Sequence, residues 1–354
     1  MRPEQPAGLD RKTIDMQMWL VRYSIILLIS FCLAFLLTPL IRFISLKIGA
    51  VDEPNERKLH TKPTPRLGGI GIYIAYSLAL LYVVKLSNQQ IGVLIGGFIV
   101  LLVGFIDDLK GIPATVKFLV LILVILVLSS HGVSLNLFKN PYINLILTIL
   151  WIVGVISAIN AIDNMDGLAS GLSFIASISY LAVALQTEQW EWGALAAALT
   201  GATLGFLKFN FAPASIFMGD SGSFFLGFTL ASLGIMGGWS TNPVKASIIP
   251  ILILGVPIFD LIYTVIVRHR EGITKNIRDI ITFSGKDHIS HRLLDLGLSH
   301  KKAVLFIYVI SICVSIGAVV LRNARKIDAM LLLGQFILIF IIVVILMNLA
   351  KKTR

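Results

Sequence analysis

Residues 143–158 read INLILTILWIVGVISA, and the polar cluster that follows at residues 160–167 reads NAIDNMDG. As a helix, the first stretch can cross the apolar layer of a bilayer, about 30 Å thick, when its ends reach towards the headgroups. Acidic and amide side chains begin where this apolar run stops. Because the same succession of apolar run and polar cluster recurs along the chain, we predict an all-α, polytopic membrane protein.

The composition indicates that a bilayer surrounds most of the chain. Of the 354 residues, 56% are hydrophobic and only 14% are charged, and the mean hydropathy is +0.89. A single globular core cannot bury this much apolar surface. We predict about eleven transmembrane helices, at residues 20–46, 68–86, 91–106, 115–130, 143–158, 168–185, 193–207, 223–240, 246–267, 302–321 and 328–349.

The net charge of +11 would suit a nucleic-acid partner, but the distribution of the charge argues against one. Lys and Arg concentrate in alternate loops, as the positive-inside rule requires. This predicts an N-terminus outside and a C-terminus in the cytoplasm. Residues 1–18 are expected to form a polar tail and not a signal peptide, and residues 19–354 a single membrane domain. The expected cytoplasmic loops are 47–67, 107–114, 159–167, 208–222 and 268–301.

Polar clusters fall in all five of these loops, and the first is the stretch 52–69, DEPNERKLHTKPTPRLGG. Three prolines stiffen this loop, and two glycines end it at the start of a helix. Backbone N–H groups at that helix start could bind an anion. The alternative is an ordinary basic loop attracted to lipid headgroups.

The second cluster pairs Asp107 and Asp108 at the end of the third span, and Lys117 opens the fourth. Adjacent side chains on a helix point about 100° apart, so the two acids are expected to have different roles. Paired acids at a membrane exit suit a hard cation and its phosphate ligands. Two solvated charges at a helix end are the alternative.

The third cluster contains Asn160, Asp163 and Asp166, which recur at every third position. If this segment is helical, their side chains share one stripe. Mg²⁺ favours oxygen ligands of this kind and usually retains water and substrate phosphate. A solvated turn would explain one such acid, but not three polar residues in register.

The fourth cluster runs from Lys208 to Ser223 and places Asp220 among glycines, where bulky groups can approach its carboxylate. Phe209 and Asn210 precede it. Aromatic and amide groups beside an acid indicate a pocket for a flat heterocycle that carries phosphate. The alternative for Phe209 is an aromatic side chain at the membrane interface.

The fifth cluster, residues 286–292, reads KDHISHR. His288, His291 and Arg292 can donate several charge-assisted hydrogen bonds to a phosphate. A zinc site is the rival interpretation, but no cysteine or third ligand has a suitable spacing. Asp260 lies inside a predicted span, where an ionisable residue is usually functional or paired, and Arg268 is a candidate partner.

In this order and on one side of the membrane, the five motifs resemble those of the polyprenyl-phosphate N-acetylhexosamine-1-phosphate transferases. The WecA- and TagO-like branch, related to MraY, is the most similar, and the resemblance covers about residues 20 to 350. It implies transfer of a sugar-1-phosphate from a UDP-sugar, with UDP-N-acetylglucosamine expected, to undecaprenyl or another polyprenyl phosphate. UMP is released, Mg²⁺ is the expected ion with Mn²⁺ as an alternative, and the product starts a cell-envelope polysaccharide. A multi-pass protein of the inner membrane is implied, with a cytoplasmic active site and, as is common in the family, a homodimer.

The resemblance also implies residue roles. Asn160 and Asp220 match positions that bear on the metal. The matched acids of the catalytic motifs are Asp107, Asp108, Asp163 and Asp166. The residues expected to bind the two substrates are Lys62, Arg66, Lys117, Phe209, Asn210, His288, His291 and Arg292.

Two positions depart from the pattern of this family. Ser290 stands where WecA-like chains have the middle histidine of the loop, and Asn164 stands where glycine is common. MraY-like enzymes have three histidines in that loop, which makes transfer of a phospho-MurNAc-pentapeptide the weaker alternative. A secondary transporter is disfavoured because the clusters lie in loops and not at the midplane. Whether Asp107 acts as a base or positions the lipid phosphate stays open.

Overall fold

The computed structural model describes residues 11–53, 63–274, 285 and 287–352. Lys62 and Lys286 lie outside these ranges. The helices are α1 (Arg11–Lys47), α2 (Gly68–Val83), α3 (Asn88–Lys110), α4 (Ala114–Ser130), α5 (Pro141–Ile162), α6 (Leu168–Thr187), α7 (Trp190–Asn210), α8 (Gly219–Met236), α9 (Pro243–Ile253), α10 (Gly255–Arg270), α11 (Ile289–Asp295), α12 (His300–Leu321) and α13 (Lys326–Lys352).

Each predicted span coincides with a helix, or with a pair of helices in the case of 246–267. In the described part of the chain, seven helices are long and apolar enough to cross a membrane, or eight when α9 and α10 count together. The helices α2 and α4 are apolar but shorter, with 16 and 17 residues, and α8 is not among those that qualify. The chain is therefore an α-helical, multi-span membrane protein, while the count of eleven stays a prediction.

The prediction that residues 246–267 form one continuous helix is wrong. The helices α9 and α10 meet at an angle of 79°, and Leu254 between them has φ −95° and ψ 17°. Pro257, in the first turn of α10, has no N–H to donate to the carbonyl of Ile253. The continuous hydrogen bonding of one helix is therefore interrupted at this point.

The loops are shorter and more structured than expected. Two antiparallel strands, β1 (Val51–Asp52) and β2 (Thr64–Pro65), lie within loop 47–67, so the chain is not entirely helical. The helix α1 begins at Arg11, inside the predicted tail, because residues 11–18 contain no proline or glycine that would stop it. The helices α3, α5, α7 and α10 also continue into the expected loops, and α11 forms inside the last one.

The helix α8 occupies the middle of the bundle, where it packs against α3 and α5 and also contacts α2. Gly104 of α3 allows one close approach, because a Cβ there would collide with the backbone of Asp220 and Ser221. Gly69 of α2 meets the backbone of Gly222 in the same way. The helices α2 and α3 therefore both reach the N-terminus of α8 with backbone against backbone, which brings their polar ends together.

Candidate active site

Asp108 caps the N-terminus of α8 from a different helix. Its Oδ1 accepts a hydrogen bond of 2.9 Å from the backbone N–H of Asp220, and its Oδ2 accepts one of 3.1 Å from Ser221. These N–H groups have no partner within their own helix, and the helix dipole favours a carboxylate there. Gly219 has φ +74° and lies against the carboxylate, where a Cβ would collide. Asp108 therefore fixes the position of the turn that presents Asp220.

Asp107 faces a different set of partners, as the angle between adjacent helical side chains predicts. Its Oδ1 accepts a 2.6 Å hydrogen bond from the backbone N–H of Ile112, and its Oδ2 pairs with Lys117. The Lys117 Nζ also lies 3.6 Å from Asp220 Oδ2 and 5.7 Å from the ring centroid of Phe224. Asp107, Lys117 and Asp220 thus form a charged group in which one cation is shared by two acids.

The third cluster lies beside α8, but its residues do not share one helical stripe. The helix α5 ends at Ile162, so Asn160 is helical while Asp163 is the C-cap and Asp166 lies in the turn. Asn160 Oδ1 accepts a 2.8 Å hydrogen bond from Ser223 Oγ in α8. Asp166 Oδ2 accepts one of 2.9 Å from the backbone N–H of Ala214. The stripe prediction is therefore wrong, yet two of its residues contact the fourth cluster directly.

The pKa of Asp163 shows the effect of bringing these acids together in a buried place. Its burial, together with the negative charges of Asp108 and Asp166, raises the pKa of its carboxyl group to about 7. Each carboxylate added to this part of the protein makes ionisation of the next one more costly. The group as a whole would be stabilised by an added cation.

Asn210 points into the protein, whereas Phe209 is half-buried against α1. The Asn210 side chain is only 3% exposed, and its Oδ1 accepts a 2.6 Å hydrogen bond from Ser170 Oγ. Its Nδ2 donates to the carbonyl of Ile216 at 3.1 Å, which holds loop 211–216 against α6. The ring of Phe209 packs against Phe35 of α1 at 5.2 Å between centroids. In this structure both side chains shape the site from behind.

The loop before α2 joins the site through its backbone. Arg66 pairs with Asp52 and donates its N–H to the carbonyl of Ala50. Pro65 accepts a 2.8 Å hydrogen bond from the N–H of Phe217, and Gly69 donates at 3.0 Å to Met218. The described part of the first cluster therefore lies directly beside the fourth.

The short helix α11 is anchored on Asp260. His288 Nδ1 lies 2.6 Å from Asp260 Oδ2, and the backbone N–H of Ile289 donates to Oδ1 at 2.7 Å. Asp260 is 1% exposed, and each of its carboxylate oxygens contacts one of these two groups. Arg268 donates hydrogen bonds of 2.6 and 2.5 Å to Asp287. Asp260 and Arg268, both in α10, therefore hold the residues at the start of α11.

The other face of α11 meets the third cluster. Ser290 Oγ donates a 2.7 Å hydrogen bond to Asn164 Oδ1. Arg292 lies two positions further on, turned away from this contact, and lines a small cavity of about 240 Å³ with Tyr263, Arg270 and Met347. His291 and Arg292 are both buried, and Arg292 Nε has no hydrogen-bond partner among the residues that the structure describes. All five clusters are thus linked at one end of the helix bundle.

Residues 90–238 match the family described as glycosyl transferase family 4. A probable undecaprenyl-phosphate N-acetylglucosaminyl 1-phosphate transferase of Bacillus subtilis strain 168 is 37% identical over 344 residues, which are 94% of this chain and 93% of that protein. The chain belongs to glycosyl transferase family 4. The predicted resemblance is confirmed, and with it the expectation of an enzyme.

Two further relatives are similar to this family 4 transferase at lower identity and over a smaller part of the chain. A decaprenyl-phosphate N-acetylglucosaminephosphotransferase of Mycolicibacterium smegmatis is 30% identical over 310 residues, 77% of this chain and 75% of that protein. A phospho-N-acetylmuramoyl-pentapeptide-transferase of Clostridium botulinum is 29% identical over 237 residues, 59% of this chain and 72% of that protein. All three relatives are named as transferases, which favours the enzyme over the transporter alternative.

Sequence reasoning about this family 4 transferase left two contacts undetected. Ser223 stood in the fourth cluster without a role, and its hydrogen bond to Asn160 joins segments that are 63 residues apart. Asp260 was expected to be functional or to pair with Arg268, and the structure gives it His288 as a partner. A polar residue inside an apolar helix was the signal for Asp260, but spacing along one helix could not reveal a partner on another.

Proposed function

We propose that this transferase moves N-acetylglucosamine-1-phosphate from UDP-N-acetylglucosamine to a polyprenyl phosphate, with release of UMP. One observation carries the proposal: Asp107 and Asp220 share Lys117 at the polar end of an apolar helix bundle. A lipid phosphate can reach such a site from the bilayer, and a nucleotide sugar can reach it from water. The names of the relatives support the acceptor and the transferred group, and the loop charges favour the cytoplasmic face of the inner membrane.

The donor set suits Mg²⁺. Within the described ranges, no group of three or more His, Cys, Asp or Glu side chains is arranged to hold a metal ion alone. Mg²⁺ usually needs only one or two carboxylates, because water and substrate phosphates complete its coordination. Asp220 and the amide oxygen of Asn160 would hold it, and the surplus of acids around Asp163 favours a cation. When bound, the ion would neutralise charge on the diphosphate.

Asp107 acts in this proposal by positioning. Phosphoryl transfer depends mainly on alignment and charge neutralisation, and a lipid phosphate, with a second pKa near ~6, is mostly dianionic at neutral pH. A general base would therefore add little to the nucleophile. Both oxygens of Asp107 already accept hydrogen bonds, from Ile112 N–H and from Lys117. Asp107 thus holds the Lys117 ammonium where it can bind phosphate.

Release of UMP by the detergent-solubilised protein tests the proposal. The assay supplies Mg²⁺, undecaprenyl phosphate and a panel of UDP-sugars that includes UDP-MurNAc-pentapeptide. We expect UMP with UDP-N-acetylglucosamine, and we expect its loss with EDTA or in Asp220→Asn, which removes the charge of a carboxylate beside Lys117. The matched control is Asp15→Asn, because Asp15 is exposed near the start of α1.

If only UDP-MurNAc-pentapeptide gave UMP, that compound would replace UDP-N-acetylglucosamine as the proposed donor. Absence of UMP with every donor, from protein that unfolds cooperatively on heating, would overturn the proposed function.

A further inference from the structure

The two positions at which the chain departs from the family pattern are hydrogen-bonded to each other. The family resemblance implies a histidine at position 290 and a glycine at position 164, and this chain has Ser290 and Asn164 there. Their side chains meet at 2.7 Å, although 126 residues separate them in the sequence. A glycine at 164 would provide no side-chain acceptor, and a histidine at 290 would bring a larger group into the same space.

The contact is buried and well defined on both sides. Ser290 is 0% exposed, so no water replaces its partner without a rearrangement. Asn164 Nδ2 donates a 2.9 Å hydrogen bond to the carbonyl of Ala161, which turns Oδ1 towards Ser290. A buried hydroxyl that loses its partner destabilises the protein, because water does not take the place of the lost hydrogen bond.

The contact also lies between chemically active groups. Asn164 stands between Asp163 and Asp166, and Ser290 stands between His288 and His291. His288 is already fixed from behind by Asp260. The Ser290–Asn164 hydrogen bond therefore adds the second point of attachment, which sets how far the histidines lie from the acidic turn.

We propose that Ser290 and Asn164 form a positioning pair that sets the affinity of the site for the diphosphate of the nucleotide sugar. This inference rests on the proposed function, since the diphosphate must extend between the acidic turn and the histidine helix. Neither residue is a catalytic group in this scheme. The hydroxyl at 290 substitutes for a histidine by holding its neighbours in place.

Five variants test the pair through the steady-state kinetics of UMP release. Ser290→Ala and Asn164→Gly are each expected to raise the KM for UDP-N-acetylglucosamine about tenfold, which is the scale of one buried hydrogen bond. The kcat and the KM for the lipid should change little. Because both changes break the same contact, the double variant should be no worse than either single one.

The fourth and fifth variants distinguish a positioning pair from general packing. Ser290→His alone is expected to raise the KM further, because the imidazole meets Asn164. Ser290→His combined with Asn164→Gly should recover much of the loss, because the glycine makes room. The matched control is Ser179→Ala in α6, a buried serine whose hydroxyl donates to the carbonyl of Ile175 in its own helix; its KM should stay unchanged.

Three outcomes separate the possibilities. If the wild-type enzyme releases UMP and the KM is unchanged in Ser290→Ala and Asn164→Gly, the proposed positioning pair is wrong and the proposed function stands. Additive effects in the double variant, or no recovery with Ser290→His and Asn164→Gly, would also overturn it. Absence of UMP from the wild type would overturn the function and with it the diphosphate as ligand, while unfolding temperatures of the same variants would still report whether the two side chains interact.

Discussion

At the residue scale, the site is a set of acidic side chains that lie close together, and several of them are held by hydrogen bonds. Asp108 caps α8, Asp107 holds Lys117, and Asp166 accepts the N–H of Ala214. Among the described residues, the Asp163 side chain has no comparable hydrogen bond, and its burial and the charges of its neighbours raise its pKa to about 7. Burial and the neighbouring acids also raise the pKa of Asp220, to about 8. The electrostatic cost of assembling the site therefore falls on more than one carboxyl group.

This cost gives a pH dependence of stability. Asp163 is ionised above pH 3.8 in the unfolded chain and above about 7 in the folded protein. Across this window the folded state binds the extra proton, so the contribution of Asp163 to the free energy of unfolding falls as the pH rises and levels off above about 7. Asp163→Asn removes this penalty, so the variant should gain stability relative to wild type as the pH rises. Thermal unfolding in EDTA measures it.

The comparison needs one control, because other groups titrate in the same range. Asp15→Asn alters an exposed acid and should follow the wild-type curve at every pH. A constant difference in unfolding temperature between Asp163→Asn and wild type, from acidic to neutral pH, would contradict the raised pKa.

At the element scale, the approach of α3 to α8 depends on the absence of a side chain at residue 104. Gly104→Ala places a Cβ against the backbone of Asp220 and Ser221, where no flexible side chain can move aside. We expect destabilisation of about 1–3 kcal/mol, as for an overpacked core. A larger loss of transfer activity should accompany it, because Asp108 would no longer reach both N–H groups of α8.

Gly154→Ala in α5 is the matched control. No atom lies within 4 Å of a Cβ at that position, so alanine should leave the unfolding temperature unchanged or raise it slightly through helix propensity. Equal unfolding temperatures for the two alanine variants would show that the α3–α8 contact is not tight.

The elements themselves could largely be predicted from the sequence, whereas their contacts could not. Apolar runs located the spans because hydropathy is a local property. The break at Leu254 was missed because hydropathy does not register that Pro257 removes a hydrogen bond. The capping of α8 by Asp108 joins residues 112 positions apart, and no local pattern encodes it. Asn210 was expected to bind substrate because of its aromatic and acidic neighbours and the family resemblance, and no local pattern predicted that tertiary contacts bury its side chain.

At the scale of the whole molecule, the surface is that of a protein in lipid. Large apolar side chains are exposed along the outer helices, among them Leu36 and Phe43 of α1 and Ile337 and Leu338 of α13. The two ends differ: aromatic contacts such as Trp19 with Trp190 lie at one, and the acidic and histidine clusters lie at the other. The direction of the protein in the membrane therefore decides where its substrates must be.

The predicted orientation can be tested with a membrane-impermeant thiol reagent in intact cells whose outer layers are permeable to it. In a background of Cys32→Ala and Cys313→Ala, Asn136→Cys should react without disruption of the membrane, because the α4–α5 loop is predicted outside. Ser299→Cys should react only after permeabilisation. Both positions are exposed, so the reverse result would invert the orientation and place the site on the outer face.

The glycines around the start of α8 also affect how this enzyme can evolve. Gly69, Gly104 and Gly222 bring backbone against backbone, so a change at any of them displaces whole helices and leaves no gradual mutational route. Side chains at the edge of the site, such as those at 164 and 290, carry no such penalty and can be exchanged as a pair. Descendants of this chain would therefore change their affinity for the nucleotide sugar through such pairs, while the central backbone stays the same.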